Sequence, residues 1–376
     1  MKAVVLRGTG DVRLEEVPDP VLQVESDAIV RVDAAAICGA DLFPLHGLTP
    51  GFEYGTILGH EFAGIVVEVG SAVTSIRAGQ RVVNMSLVAD GTCAACRAGR
   101  VTQCSGRALF GYSGVYPRLD GAQADFVRVP HADTVLSPLP DSVSDEAAVF
   151  LADNLPTAYD AVVRGEVTGG DLVCVVGLGA VGLMAVMVAL DVGATVFATD
   201  GVEQRRELAA SLGAQVFEPS EVREAVAGTT DGLGADVVIE AAGTPGALGA
   251  ALQLARGRGV VSVVGAHFEP DYPLNNGLMF ERELTLRFSI GDSLAHREHL
   301  ISMISEGRLD PAAVVTHRMS LDDAVEAYRL FDSREATKVV MTRLGAPHSC
   351  SRRRCCSSSS HAVVRTRPPP MPSPTR

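Results

Sequence analysis

Positive charge is scarce in this sequence. Its 376 residues hold 32 Lys and Arg against 45 Asp and Glu, a formal net charge of −13. Such a surface repels nucleic acid and anionic membranes, so neither is an expected partner. An apolar leader is lacking too: after Met1-Lys2 the uncharged run is only Ala3 to Leu6, too short for the core of a secretory signal. The charge-free stretch Leu172 to Leu190, LVCVVGLGAVGLMAVMVAL, reaches 19 residues, the length of a membrane helix. Asp171 and Asp191 flank it with no basic cluster, and its glycines read better as a turn between a strand and a helix. The protein is therefore expected to be soluble and cytoplasmic, where free thiols persist and clustered ones point to metal.

What is present is a globular composition, 47% hydrophobic and 20% charged, in a chain long enough for two domains. Residues 1 to about 150 read as short β segments, KAVVL, AIVRVDAAAI, AGIVVEVG and RVVNM, bounded by Gly, Pro and Asp. From about 168 the rhythm becomes strand–helix alternation: DLVCVVG, a helix ending at Gly193, TVFATD, a helix closed by Gly213, ADVVIEAAG, PGALGAALQLA and GVVSVVG. That alternation implies an α/β domain, a doubly wound parallel sheet with helices on both faces. After about 285 come a helix, DSLAHREHLISMISEG, and a short β segment around Val314. A helix capped by Ser320 and Asp323 follows, with Leu321, Ala324, Val325 and Tyr328 as its apolar face, and TKVVM is a last strand. These returning segments are expected to rejoin the first domain. The division is 1–150 with 286–345, then 151–285, then a tail, 346–376. The tail is rich in Ser, Pro and Arg, with six Arg and no acidic residue, and is expected to be disordered.

Gly177-Leu178-Gly179-Ala180-Val181-Gly182 follows the strand LVCVV and opens a helix. In such a turn Gly177 permits the bend, Gly179 lets a pyrophosphate approach the backbone, and Gly182 lets helix and strand pack closely. The helix N-terminus offers N–H groups to the phosphates. Asp200 lies 23 residues after Gly177, at the end of the next strand, where a carboxylate binds both ribose hydroxyls and repels a 2′-phosphate. This favours NAD over NADP; Arg205, in the following helix, completes the cofactor-binding set.

Chemistry-bearing residues cluster elsewhere as well. Cys38 and Asp41 stand in AICGADLFPLHG, and His60 and Glu61 in ILGHEFAGIVVEVG. A thiolate with an imidazole suits zinc, but a third ligand must come from another segment. The run DGTCAACRAGRVTQC holds Cys93, Cys96 and Cys104, one thiol short of a four-cysteine site. By itself it reads as a catalytic site, an incomplete structural one, or no metal site.

Taken in order, Cys38-Gly39-x-Asp41, Gly59-His60-Glu61, the 90–104 cluster, LADNLPTAY, GLGAVG and TKVVM resemble the zinc-dependent medium-chain alcohol dehydrogenase family over about residues 1–343. The resemblance implies a GroES-like β-rich catalytic domain and a Rossmann domain, with zinc in the cleft between them. It implies Cys38, His60 and Asp153 as catalytic zinc ligands, in the aspartate-using branch of formaldehyde and some secondary-alcohol dehydrogenases. Glu61 is implied as an exchangeable fourth ligand, Asp41 as acceptor of the other ring N–H of His60, and Thr157 as a neighbour of the nicotinamide. It further implies a structural zinc in a lobe spaced C-x2-C-x2-C-x7-C, in which Asp90 takes the first position and Cys93, Cys96 and Cys104 the others. The expected reaction is hydride transfer between an alcohol or polyol and NAD, in a homodimer or homotetramer. The sequence departs from the family at Ala40, where a hydroxyl usually relays the alcohol proton, and at Phe43, often a His. His46, Tyr54 or water are the candidate substitutes. A zinc-containing reductase or dismutase, or a non-catalytic binding protein on the same fold, stays open. Phe43, Leu45, Phe110 and Tyr112 are apolar walls of a substrate pocket or simply core, and no basic cluster marks a phosphorylated substrate.

Overall fold

A computed structural model describes residues 1–267 and 271–343. The expectation for the tail lies outside the described residues. Two sheets organise the chain. The first is mostly antiparallel and runs His317–Ser320, Val339–Thr342, Ala28–Ile37, Glu61–Val69, Arg81–Asn84, Leu136–Pro138, with Phe126–Val129 also paired to Ala28–Ile37. Val339–Thr342 lies antiparallel to Ala28–Ile37, so the last strand returns to the N-terminal sheet. The second sheet is wholly parallel, in the order Gln215–Phe217, Thr195–Thr199, Leu172–Val176, Ala235–Glu240, Ala255–Val263, Thr285–Phe288. Sequential strands step outward in both directions from Leu172–Val176, the reversal that opens a crevice at the strands' carboxyl ends. Leu172–Val176 is buried at every position, as a central strand covered on both faces must be.

The charge-free stretch resolves into two elements, strand Leu172–Val176 and helix Ala180–Val192, ended by Gly193 at φ 92°. No helix among the described residues is long and apolar enough to cross a membrane. Helix Asn154–Arg164 bridges the two halves; its buried face, Leu155, Ala158, Ala161 and Val162, joins one core with Leu183, Val186 and Val340.

Several local expectations change. Strand Thr285–Phe288 pairs in register with Ala255–Val263, so the parallel sheet continues past the expected boundary at 285/286. Around Val314 the chain forms a 3-10 helix, Pro311–Val314, rather than a strand. Pro311 cannot donate to a ladder, and the Asp310 side chain accepts the Ala312 N–H, which caps a helical turn. The Ser320/Asp323 capping box is present, but it closes a 3-10 turn ahead of helix Ala324–Asp332. That turn rotates the buried face to Ala324, Ala327 and Tyr328 and leaves Val325 52% exposed.

Candidate metal centre

Strand Ala28–Ile37 delivers Cys38 just past its end, and strand Glu61–Val69 is entered through His60. Asp153 sits at the junction between a 3-10 turn, Val149–Ala152, and helix Asn154–Arg164, with backbone φ −151° and ψ −65°. These elements bring one donor atom each from Cys38, His60, Glu61 and Asp153 within 4.8 Å of one another. The Cys38 thiol is 3.8 Å and His60 Nε2 3.6 Å from Asp153 Oδ2. On the far side of the imidazole, His60 Nδ1 faces Asp41 Oδ1 at 3.2 Å. Asp41 is itself fixed, because its Oδ2 accepts the Cys38 N–H at 3.0 Å and the Gln123 side-chain N–H at 3.4 Å.

The electrostatics call for a cation. Burial resists a charge on His60, but Asp41, Cys38 and Asp153 outweigh it and raise the imidazole well above its usual value. Burial, with the Glu61 charge, raises the Cys38 thiol. Burial opposes ionisation of Asp153 too, but its contacts with His60 keep it below the usual carboxylate range. Glu61 is fully buried, and its Oε1 has no hydrogen-bond partner. Converging thiol, imidazole and carboxylate donors, one carboxylate oxygen lacking a partner, fit a divalent metal. The mixture of thiolate, imidazole and carboxylate suits zinc.

Sequence reasoning misses Lys338, one residue of TKVVM. Its ammonium is 1% exposed and donates to Glu61 Oε2 at 2.5 Å and to Asn154 Oδ1 at 2.7 Å. Glu61 is raised because burial exceeds the pull of Lys338, whereas Lys338 is raised because Glu61 overcomes burial. We take the pair as ionised, since an ammonium spanning two oxygens at these distances compensates the carboxylate directly. Asn154 also directs its side-chain N–H at the Cys38 sulfur, 3.7 Å away.

The second cluster is Asp90, Cys93, Cys96 and Cys104, again with donor atoms within 4.8 Å. Cys93 Sγ is 3.5 Å from Cys96 Sγ and 3.9 Å from Cys104 Sγ. Asp90 Oδ1 accepts N–H groups from Cys93 and Thr92, which hold its carboxyl well below the usual range. Backbone N–H groups of Cys96 and Ser105 hold the Cys93 thiol below its usual value, while desolvation raises Cys96.

At the carboxyl end of strand Leu172–Val176, Gly177 takes φ 94° and Gly179 begins helix Ala180–Val192 with open space where a side chain would stand. A Cβ on Gly182 would lie 1.9 Å from the Gly177 carbonyl oxygen, so only glycine allows this helix–turn contact. Asp200 follows strand Thr195–Thr199 and accepts the Leu178 N–H at 2.7 Å and the Val202 N–H at 2.8 Å, which anchors it over the glycine turn. Arg205 Nη1 lies 3.7 Å from Asp200, and its buried Nε has no partner. The Thr157 hydroxyl is 3.5 Å from Asp153 Oδ1 and 3.4 Å from the Ile290 carbonyl.

Other candidates lie elsewhere. His46 Nε2 is 2.8 Å from Asp332 in an exposed pair, and the Tyr54 hydroxyl is engaged by Thr9. Leu45 and Phe110 are core residues, the latter packed edge-on to Phe62 at 5.4 Å. Tyr112 is buried and donates to the Ala40 carbonyl.

Residues 24–141 match the model of the alcohol dehydrogenase GroES-like domain, and residues 180–306 that of the zinc-binding dehydrogenase. A Mycobacterium tuberculosis protein named "probable zinc-binding alcohol dehydrogenase" is 39% identical over 330 residues, 87% of this chain and 84% of that one. An alcohol dehydrogenase of Cupriavidus necator is 35% identical over 88% of this chain and 95% of its own length. Among solved structures, the alcohol dehydrogenase TADH from Thermus sp. ATN1 superposes with a TM-score of 0.87 at 38% identity, covering 91% of this chain and 99% of its own.

Proposed function

The chain belongs to the zinc-type alcohol dehydrogenase family, and from that premise we propose that it is an NAD-dependent oxidoreductase acting on an alcohol or polyol to give an aldehyde or ketone. One observation carries the reading: donor atoms of Cys38, His60, Glu61 and Asp153 lie within 4.8 Å of one another, and the buried Glu61 Oε1 has no hydrogen-bond partner. Cys38, His60 and Asp153 hold zinc, with Glu61 as an exchangeable donor. Zinc held there would supply a Lewis acid for the substrate oxygen, and a nicotinamide cofactor would supply the hydride acceptor.

The chain's own residues do the rest. Asp41 Oδ1, 3.2 Å from His60 Nδ1, would accept that ring N–H and leave Nε2 free for the metal. The Gly177–Gly182 turn presents backbone N–H groups to the pyrophosphate. Asp200 binds the ribose hydroxyls, which supports NAD over NADP, with Arg205 beside it. Thr157, beside Asp153, would neighbour the nicotinamide. Ala40 has no proton to pass, and His46 and Tyr54 are engaged elsewhere. The alcohol proton therefore leaves to water on the side of Asp153, whose side chain is 25% exposed. Asp90, Cys93, Cys96 and Cys104 hold a second, structural zinc.

The working division is a catalytic unit of 1–150 with 289–343 and a nucleotide unit of 151–288. A homodimer or homotetramer in the cytoplasm is the expected form. The open edge at Thr285–Phe288, with Phe280 and Phe288 86% and 56% exposed, supports self-association. Ala40 favours one rival, a zinc-containing reductase or dismutase.

The test is NADH formation across primary, secondary and polyhydroxy alcohols, with and without chelator. Cys38→Ser or His60→Ala should remove one zinc and turnover while the far-UV circular dichroism stays that of the parent. Full turnover in a variant without that zinc refutes the assignment. Carbonyl or activated-alkene reduction without alcohol oxidation favours the rival.

A further inference from the structure

Arg297 is the bulkiest of the fully buried side chains, 1% exposed. It lies on helix Ser293–Ser305 at the core-facing spacing Ser293, Arg297, Leu300. Among the described residues no carboxylate lies within ion-pair distance of it. Burial lowers it to about 10, with Asp292 partly compensating, so it stays charged at neutral pH. An unpaired guanidinium in a protein interior is costly to stability, and an apolar side chain of similar size would relieve that cost.

What it holds is specific. Nη2 donates to the Asn84 carbonyl at 2.9 Å, and Nη1 donates to the Ser137 hydroxyl at 2.7 Å. Asn84 ends strand Arg81–Asn84, and its fully buried amide brackets the metal-side strand entry. Its Nδ2 donates to the His60 carbonyl at 2.8 Å, and its Oδ1 accepts the Phe62 N–H at 3.0 Å. The amide therefore fixes the backbone on both sides of Glu61. Two residues on, the Ser86 N–H donates to the Ala152 carbonyl at 3.1 Å and the Ser86 hydroxyl lies 3.4 Å from Asp153 Oδ1. One short segment, 84–86, thus sets the register of three of the four metal donors. The helix carrying Arg297 begins two residues after Gly291. A Cβ there would meet the Thr157 hydroxyl at 2.3 Å, so this turn is packed against Thr157 on helix Asn154–Arg164.

We propose that Arg297 is a positioning residue for the metal centre: through the Asn84 carbonyl it holds segment 84–86, and hence His60, Glu61 and Asp153, in the geometry that binds the metal. The proposal rests on the reading of Cys38, His60 and Asp153 as the metal site. Its guanidinium fork meets a carbonyl and a hydroxyl on two different strands, which a single-point donor cannot do.

The experiment uses full-length protein with cobalt(II) in place of zinc. The bands lost in Cys38→Ser identify the site, separately from those of the Cys93 cluster. Arg297→Gln is expected to keep the parent's circular dichroism, shift those bands, and weaken zinc there about ten- to hundred-fold in chelator competition. Arg297→Gln combined with Asn84→Ala should lose no more affinity than the worse single variant, because both act through one segment. Unchanged bands and affinity in folded Arg297→Gln overturn the proposal, as do additive losses in the double variant. Should Arg297→Gln not fold, Arg297→Lys keeps the charge without the fork: shifted bands and weakened zinc support the proposal, and unchanged bands and affinity overturn it. If Cys38→Ser removes no band from the parent spectrum, the site assignment itself has failed, and that outcome is distinct from unchanged bands in the Arg297 variants.

Discussion

Lys338→Met removes one half of a buried pair whose side chains are 1% and 0% exposed. The Glu61 carboxylate would then have neither oxygen bonded, since Oε1 is already without a partner and Oε2 loses the 2.5 Å ammonium contact. Asn154 Oδ1 would lose its 2.7 Å donor as well. Breaking a buried ion pair from one side costs about 3–5 kcal/mol. Glu61→Gln should cost a similar amount, because it leaves the ammonium unpaired. The double variant removes both charges and should recover a coupling energy of about 2 kcal/mol or more. The assay is urea unfolding of the metal-free single and double variants, so that a metal captured by the released Glu61 does not mask the loss. The sign with pH follows from burial, which raises Glu61. Without Lys338 that carboxyl sits still higher, so the penalty applies above its folded value and fades as falling pH protonates it. A coupling within about 0.5 kcal/mol of zero would refute the ionised pair, since independent sites add to that tolerance.

Asp200→Ser should relax the preference for NAD toward NADP, read as the ratio of kcat/KM values; an unchanged ratio removes Asp200 from the ribose site. Metal analysis should give two zinc ions per chain, and Asp90→Ala should lower the count toward one without abolishing turnover. A parent count of one sinks the second site. Asp160 is buried, yet contacts with His296, Ser289 and Arg164 overcome the burial penalty and bring it to about 2. A folded value below the unfolded one of about 3.9 stabilises above that pH by about 2–3 kcal/mol, and the effect is lost as pH falls toward 2. Asp160→Asn should therefore destabilise at pH 7 but differ little from the parent near pH 2, as followed by urea unfolding at both.

The parts of the site carried by local pattern are legible in the sequence. The glycine turn announces itself because Gly177 and Gly182 each answer a backbone need within six residues of a strand. The β segments of the first half and the parallel strands of the second follow from runs of Val, Ile and Ala between turn residues. Helix phase is harder to read. A capping box taken as the start of an α-helix puts Val325 on the apolar face, whereas a 3-10 turn there rotates the face away from it. Long-range polarity is invisible. Lys338 and Glu61 are 277 residues apart, and Arg297 and Asn84 are 213 apart. A lysine or arginine on a short strand or helix reads from sequence as a solvated charge, since nothing local says that its head will be buried. Both cations meet groups that the metal-side loops cannot satisfy alone, Lys338 the second Glu61 oxygen and Arg297 the carbonyl at the end of the Asn84 strand. Two of the contacts around the proposed donors thus come from far along the described chain, from Arg297 and Lys338. The family motifs include Asp41 beside His60 and Lys338 within TKVVM, but nothing in them shows that the Lys338 head is buried against Glu61.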